Sequence, residues 1–313
     1  MPAGWWRPPR LRSNEPDEHR RATWLELFYD LVYVVAVAAL AARLEARHDA
    51  AGWLEFAALF VPVWWSWAGV TFYNDRFDTD DLAHRLLTLL LMVGAVGLAI
   101  FIEHGVERGG AGFALSYVGL RAILVFMYLR AGRHATIARP LTRRYALGFS
   151  IAAAMWLASL AVDPPLRHVV WALAMAVDVG TPLTARRHQA MLPISRSHLP
   201  ERIGLFTIIV LGEGVAAVVH GAGAGAIGVS TLAAAALALS IGFAVWWVYF
   251  ENLDETVVRR TRVAGQVWFY AHLPLAVSIT AAAVGLHAVV AHPGSPLSAS
   301  ERWLLGGSVA GAF

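Results

Sequence analysis

The sequence contains no cysteine, and lysine is also absent, so that all 25 of its basic side chains are arginine. The lack of cysteine excludes disulfides, thiolate catalysis, cysteine-held zinc, iron–sulfur clusters and c-type haem attachment. The lack of lysine excludes a lysine Schiff base and a Walker A loop. Only 15% of the 313 residues are charged, against about 25% in an average soluble chain. This deficit excludes a disordered protein and argues against a soluble enzyme.

Long apolar runs fill most of the chain, in which 58% of residues are hydrophobic. A membrane-spanning helix needs about 20 mostly apolar residues. We place the predicted spans at Trp24–Leu44, Trp53–Tyr73, Arg85–Ile102, Gly112–Arg130, Tyr145–Val162, His168–Arg186, Ile203–His220, Ile227–Phe250, Gly265–Val290 and Arg302–Phe313. The sequence therefore predicts an all-α fold, a polytopic transmembrane helix bundle of about nine to ten spans.

The last predicted span is short, because the sequence ends about 12 residues into it. Twelve helical residues cover about 18 Å, less than a bilayer core of about 30 Å. We expect either a re-entrant segment or a fragment of a longer protein, and we favour the fragment.

The arginines predict how the chain is oriented in the membrane. With the N-terminus inside, 19 arginines fall in inner segments, 5 fall in outer segments and Arg121 lies within a span. Such a bias predicts a cytoplasmic N-terminus. The first span is too long for the core of a signal peptide, so we expect it to be retained. Because the arginines lie in short loops rather than on one face, we expect a lipid bilayer as partner and no nucleic acid.

An internal repeat is suggested by two aromatic motifs at the inner ends of predicted spans. Residues 64–67 (WWSW) precede Asn74-Asp75, and Trp246-Trp247 precede Glu251-Asn252. Six helices separate the copies, which would make the repeat parallel. We divide the chain into a basic N-terminal segment (1–22), a first six-helix transmembrane unit (23–186) and an incomplete second unit (200–313). The alternative is that aromatic residues simply mark the membrane interface twice.

Four motifs give the chain a resemblance to a known family. They are residues 22–34 (ATWLELFYDLVYV), 74–81 (NDRFDTDD), 198–213 (HLPERIGLFTIIVLGE) and 268–274 (WFYAHLP). Together they resemble the bacterial low-temperature-requirement protein A family over essentially the whole chain. The resemblance implies a multi-pass bacterial inner-membrane protein and no particular reaction. This sequence departs from the family at Tyr29 and Tyr33, where Phe is common, and at Gly214, where Ser is common.

Ionisable side chains within the first span are candidates for chemistry, since each costs about 2.5–3.5 kcal/mol on insertion scales. Glu26 and Asp30 lie four residues apart and share one helix face. Two such close carboxylates suit proton carriage or cation coordination. The alternatives are that Glu26 only complements the helix dipole and that Asp30 forms a structural pair with an arginine.

Further candidates lie in later spans. Glu213 is near the predicted midplane between Gly212 and Gly214, which allow close helix approach or a helix break. Arg121 needs a buried partner, for which Glu213, Asp178 and Asp30 are the choices. His272 precedes Pro274 and is either a proton relay or a satisfied hydrogen-bonding group.

An acidic loop after the second span supports an enzyme interpretation. Clustered carboxylates hold Mg²⁺, which bridges pyrophosphate oxygens, and residues 74–78 partly resemble the Asn-Asp-x-x-Asp motif of membrane-embedded polyprenyl transferases. The metal ligands would be Asp75, Asp78, Glu251 and Asp254. The alternative is that Thr79, Asp80 and Asp81 cap the third span.

Three functions follow from these candidates. The first is a transporter or channel for a proton or small cation, in which Asp30, Arg121, Asp178, Glu213 and His272 converge on one water-accessible cavity. The second is a Mg²⁺-dependent transferase acting on isoprenoid pyrophosphates. The third is a non-catalytic membrane scaffold or sensor. We expect no cofactor except Mg²⁺ under the second function, and a homo-oligomer is compatible with all three.

Overall fold

The computed structural model describes residues 5–12, 22–189, 192, 198–223, 227–252 and 262–312. Its helices are α1 (Trp24–Ala46), α2 (Ala50–Arg76), α3 (Leu82–Glu103), α4 (Gly105–His134), α5 (Arg139–Ala158), α6 (Leu166–Thr184), α7 (Arg186–Gln189), α8 (His198–Gly223), α9 (Val229–Glu251), α10 (Arg262–Ala291) and α11 (Ala299–Ala312). Single 3-10 turns, Thr136–Ala138 and Ser159–Ala161, flank α5. The predicted all-α class is confirmed.

Within these described ranges, eight helices are long and apolar enough to cross a membrane: α1 to α5, α8, α9 and α10. The helix α6, which we predicted as a span, has 19 residues but is not among the eight. The 14-residue α11 is also too short. The structure therefore supports a polytopic helical membrane protein with eight candidate spans, where the sequence predicted nine to ten.

Large apolar side chains face outward on the candidate spans. On α3, Leu86, Leu89 and Val93 are each at least half exposed, and Leu237 on α9 is 68% exposed. A soluble protein does not present such continuous apolar helix faces to water. These faces are suited to contact with lipid hydrocarbon.

The chain forms two compact units. Unit 1 contains Met1–Ala36 and Pro62–Leu199, and within it α3 packs on α4, α4 on α5 and α5 on α6. Small residues allow these close approaches, since a Cβ atom at Gly148 would overlap the Thr181 side chain. The core of unit 1 is aromatic, with fully buried tryptophans and tyrosines on α2, α4 and α5.

Unit 2 contains Val37–Val61 and Pro200–Phe313. Its apolar core includes Val218, Ala238 and Leu286, which come from α8, α9 and α10. The helices α10 and α11 pack closely, because Gly285 leaves room for Leu305 on the facing helix.

A short N-terminal segment is attached to unit 1. The two-residue strands β1 (Arg10–Leu11) and β2 (Phe77–Asp78) pair in antiparallel register. Next to this pair, the Arg12 amide donates to the Arg76 carbonyl at 3.1 Å. The beginning of the chain is thereby fixed beside the C-terminal end of α2.

Candidate functional site

A buried polar row runs along one face of α1 in unit 1. Glu26, Tyr29, Asp30 and Tyr33 follow one another at spacings of one helical turn or less, and each is at most 5% exposed. The N-terminal half of α1 therefore turns its polar residues inward. The predicted shared face of Glu26 and Asp30 is present, and two tyrosines extend it.

Hydrogen bonds connect this row to the C-terminal half of α2. The Trp67 indole N–H donates to Asp30 Oδ1 at 2.7 Å. The Tyr29 hydroxyl donates to that of Tyr33 at 3.1 Å, and the Tyr33 hydroxyl lies 2.9 Å from Ser66 Oγ. Ser66 in turn donates to the Val63 carbonyl at 2.7 Å. The three hydroxyls thus form a continuous hydrogen-bonded chain that ends on a backbone acceptor.

A histidine lies between two carboxylates at the N-terminal end of the polar row. His198 Nδ1 is 3.2 Å from Asp75 Oδ1, and His198 Nε2 is 3.4 Å from Glu26 Oε1. All three residues are buried. They come from the start of α1, the end of α2 and the first residue of α8. We refer to Glu26, His198 and Asp75 as the inner triad.

Glu26 also helps to cap the N-terminal end of its own helix, α1. Its carboxylate accepts from the Thr23 amide at 2.8 Å and from the Thr23 hydroxyl at 2.9 Å, while the Glu26 amide donates to Thr23 Oγ1. This reciprocal arrangement is a capping box. The capping and chemical interpretations of Glu26 therefore both have a structural basis.

Sequence reasoning did not select His198 as a site residue, although it opens one of the motifs that carry the family resemblance. No short spacing links it to Glu26 or Asp75, because the three residues are far apart along the chain. A histidine next to a predicted helix start is a weak indication of a site. Only the fold shows that it lies between two carboxylates.

A second buried polar cluster lies between α4 and α6. Arg121 Nε is 2.7 Å from Asp178 Oδ2, and the Tyr117 hydroxyl donates to the same oxygen at 2.5 Å. The Arg121 guanidinium also donates to the Tyr117 hydroxyl and lies over the Phe149 ring. Of the three acids proposed as partners for Arg121, the structure selects Asp178.

Glycine on α2 makes room for this arginine. A Cβ atom at Gly69 would lie 2.8 Å from Arg121 Nη1. Arg121 is also within electrostatic range of Tyr33 on the polar row. The Arg121–Asp178 pair and the polar row of α1 therefore belong to one buried polar region of unit 1.

His272 in unit 2 has partners for both ring nitrogens. Its Nδ1 lies 2.7 Å from the Trp268 carbonyl, and its Nε2 lies 3.0 Å from the Tyr249 hydroxyl. A carbonyl only accepts, so Nδ1 carries the proton and Nε2 accepts from Tyr249. This geometry is that of the satisfied hydrogen-bonding group, the alternative to a proton relay.

Glu213 on α8 is a half-buried carboxylate of unit 2. None of the residues that the structure describes forms a hydrogen bond or an ion pair with it, although His220 lies within electrostatic range. A cavity of about 330 Å³ lies beside Gly212 and Gly214, and its other lining residues are apolar. The predicted glycine-flanked carboxylate is thus present, next to a cavity that is not polar.

The acidic motif at residues 74–81, which begins within the last turn of α2, is divided among several roles. Asp75 belongs to the inner triad, and Asp80 forms an exposed ion pair with Arg85 at 2.9 Å. Asp81 caps α3 by accepting from the His84 amide at 2.8 Å, as the capping alternative predicts. Of the Mg²⁺ ligands predicted on the second loop, Glu251 is exposed at the end of α9 and Asp254 lies outside the described residues.

The described part of the chain contains no group of three His, Asp or Glu residues arranged to hold a metal ion. The side chain of Asp78 is not among the described ones. The magnesium-dependent transferase therefore stays a prediction from the sequence.

Asp81 also holds the N-terminal segment. Its Oδ2 accepts from the Arg7 amide at 2.8 Å and from Arg130 at 2.5 Å, and Arg130 donates to the Arg7 carbonyl. The Arg130 guanidinium lies 4.1 Å from the Trp6 ring centroid. Burial raises the pKa of Asp81, but these hydrogen bonds and the Arg130 charge outweigh it and lower the pKa below its usual value.

Comparison with known proteins agrees with the resemblance read from the motifs. The model of the bacterial low temperature requirement A protein (LtrA) family matches residues 21–313. A relative from Rhizobium meliloti (strain 1021), with the printed name "Uncharacterized protein RA0937", is 27% identical over 298 residues, which is 90% of this chain and 73% of that protein. No solved structure matches the chain. Since the family model covers nearly the whole sequence, this multi-pass membrane protein belongs to the bacterial low temperature requirement A (LtrA) family.

Proposed function

We propose that this membrane protein carries protons or a small cation across the bacterial inner membrane, as a transporter or channel. The observation that carries the proposal is the inner triad, in which a buried imidazole contacts two buried carboxylates. Burying three ionisable groups together is expensive unless they share protons or charge. A membrane protein that only needs a stable core has cheaper ways to fill this space.

The triad has the chemistry for proton exchange. Imidazole is the side chain that takes up and releases protons near neutral pH. Because each ring nitrogen of His198 has its own carboxylate, a proton that enters at one nitrogen leaves at the other. The triad therefore suits a relay between Asp75 and Glu26.

The polar row extends this relay into the membrane-spanning part of unit 1. Asp30 lies one turn beyond Glu26, and the hydroxyls of Tyr29, Tyr33 and Ser66 form a hydrogen-bonded chain. The Arg121–Asp178 pair supplies fixed, mutually neutralised charges beside the row, so we assign Asp178 and Arg121 a supporting role.

In unit 2, we assign ion exchange to Glu213 rather than to His272. Glu213 has no hydrogen-bond or ion-pair partner in the part of the chain that the structure describes, whereas both nitrogens of His272 are engaged. The convergence of all these residues on one cavity stays a prediction.

A flux assay tests the proposal. The purified chain is reconstituted into liposomes that contain a pH-sensitive dye, and proton uptake is followed under an imposed membrane potential. We expect His198→Gln, Asp30→Asn and Glu213→Gln each to reduce the flux at least about tenfold, since each removes a proton-exchanging group. The matched control is Glu103→Gln, a change at an exposed carboxylate at the end of α3. Flux that is unchanged in all three variants contradicts the proposal.

A second candidate function, a non-catalytic membrane scaffold or sensor, is favoured by the cavity beside Gly212 and Gly214. A transport site next to Glu213 should be polar, yet this cavity is lined by apolar side chains. The flux measured with the wild-type protein in the same assay distinguishes the two functions. Liposomes that contain it and show no proton or cation flux above empty liposomes would favour the scaffold.

A further inference from the structure

Arg76, the last residue of α2, is a buried cation. It is only 6% exposed, and its guanidinium reaches back over the Phe72 ring and donates to the Phe72 carbonyl at 3.3 Å. Its Nε has no acceptor among the described residues. None of the carboxylates in the described ranges lies within ion-pair distance of it.

Two other buried arginines in the described part of unit 1 are balanced differently. Arg121 has Asp178 and Arg130 has Asp81, each at ion-pair distance. A buried guanidinium without an opposite charge carries a large desolvation cost. Arg76 therefore needs a counter-charge that the described side chains do not supply.

Two further buried polar atoms of unit 1 have no hydrogen-bond partner among the residues that the structure describes. These are Arg130 Nε, on α4, and His84 Nδ1, in the first turn of α3. Both residues are at least nine-tenths buried. The helices α2, α3 and α4 thus each bring a buried nitrogen that has no hydrogen-bond partner within the described ranges.

Two tyrosines connect these nitrogens into one region. The Tyr73 ring stacks on His84 at 6.5 Å and contacts the Tyr128 ring at 5.2 Å. Tyr128 is within electrostatic range of Arg76, and Tyr73 is within range of Arg130. The unpartnered nitrogens are therefore grouped around one tyrosine pair.

We propose that Arg76, Arg130 and His84 form a binding site for a phosphate-bearing anion at this end of unit 1. Guanidinium groups match phosphate oxygens in geometry and charge, which is why arginine recurs in phosphate recognition. The ligand is either free phosphate or the headgroup of an anionic lipid, since the arginine distribution puts this end of the bundle at the inner leaflet. The site does not depend on the transport function proposed above.

Thermal unfolding of the purified full chain in a neutral detergent tests the site. Inorganic phosphate and phosphatidylglycerol are added separately, at constant ionic strength set with chloride. We expect at least one of them to raise the unfolding temperature of the wild-type protein. Stabilisation by phosphate without lipid identifies a free anion, and stabilisation by phosphatidylglycerol alone identifies the headgroup.

Arg76→Gln is the decisive variant. Because it removes a charge-assisted hydrogen-bond donor, it should weaken binding about tenfold or more. It should also raise the unfolding temperature measured without anion, since it removes an uncompensated buried charge. The control is Arg85→Gln, an exposed arginine paired with Asp80, which should respond to anion like the wild type.

The same experiment can overturn the site. Equal anion responses of the wild type and Arg76→Gln contradict it, as does a wild-type protein that responds to neither anion. If Arg76→Gln does not elute as a folded protein from a size-exclusion column, native mass spectrometry of the wild-type protein tests directly whether the anion is bound. A wild-type protein without bound phosphate or phosphatidylglycerol at saturating concentration then refutes the site.

Discussion

Single residues in unit 1 show how buried charge is accommodated in a membrane bundle. Arg121 is neutralised by one carboxylate and shares a tyrosine hydroxyl with it. Asp30 instead accepts from the Trp67 indole, a neutral donor. A charge that is paired and hydrogen-bonded is tolerated, whereas a charge that loses its partner destabilises the protein strongly.

This contrast predicts a large effect at Asp178. We expect Asp178→Asn to lower the free energy of unfolding by about 3–5 kcal/mol, because it leaves the Arg121 guanidinium buried without a carboxylate. The control is Asp80→Asn, which breaks an exposed pair that contributes about 0–1 kcal/mol. Denaturant unfolding in detergent, followed by circular dichroism, measures both. A similar loss of unfolding free energy in the two variants would show that the buried Arg121–Asp178 pair stabilises the protein no more than the exposed pair does.

The sequence restricts the partner of Arg121 to three acids and cannot choose among them. Intramembrane charge is visible in a sequence, but pairing depends on which helix faces meet. For the same reason His198 was not predicted as a site residue. Glu26 and Asp30 were predicted, since a spacing of four residues on one helix puts both side chains on the same face. The spacing of residues along one helix can be taken from a sequence, whereas contacts between residues of different helices cannot.

The ends of the helices are predicted well where the apolar run and the helix end together, and less well where the helix continues into polar residues. The predicted span from Trp24 matches the start of α1, but α4 begins at Gly105 rather than at Gly112. Helical hydrogen bonding continues through the polar residues Glu107 and Arg108, which an apolar window leaves out. The strands β1 and β2 were not predicted, because two residues are too few to show a period.

Glycines at helix contacts allow a paired test of packing. We expect Gly69→Ala to destabilise the protein by about 1–3 kcal/mol through overpacking, since its Cβ would lie 2.8 Å from both Arg121 and Leu124. Gly119→Ala has nothing within 4 Å and should stabilise α4 by about 0.5–1 kcal/mol. Thermal unfolding of the two variants checks the opposite signs. A gain in stability at Gly69 would contradict the close approach of α2 to Arg121.

At the scale of the whole molecule, the absence of cysteine makes membrane topology directly measurable. Single cysteines at Ala46 and Asp163 should react with an impermeant maleimide in intact cells, because the arginine bias predicts that both positions lie outside. Cysteines at Thr136 and Arg187 should react only after permeabilisation. The Arg187 position also tests whether α6 crosses the membrane. The reversed labelling pattern would contradict a cytoplasmic N-terminus.

Asp81 contributes to the attachment of the N-terminal segment, together with the pairing of β1 and β2. Asp81 accepts from Arg7, from Arg130 and from the first turn of α3, so protonating it removes the negative charge that strengthens all three hydrogen bonds. Because its pKa is lowered, this contribution to stability is present above the unfolded-state value, about 3.9, and is lost only as the pH falls through the lowered value. Mild acidity therefore leaves the front of the chain in place, and strong acid loosens it and the start of α3 in one step.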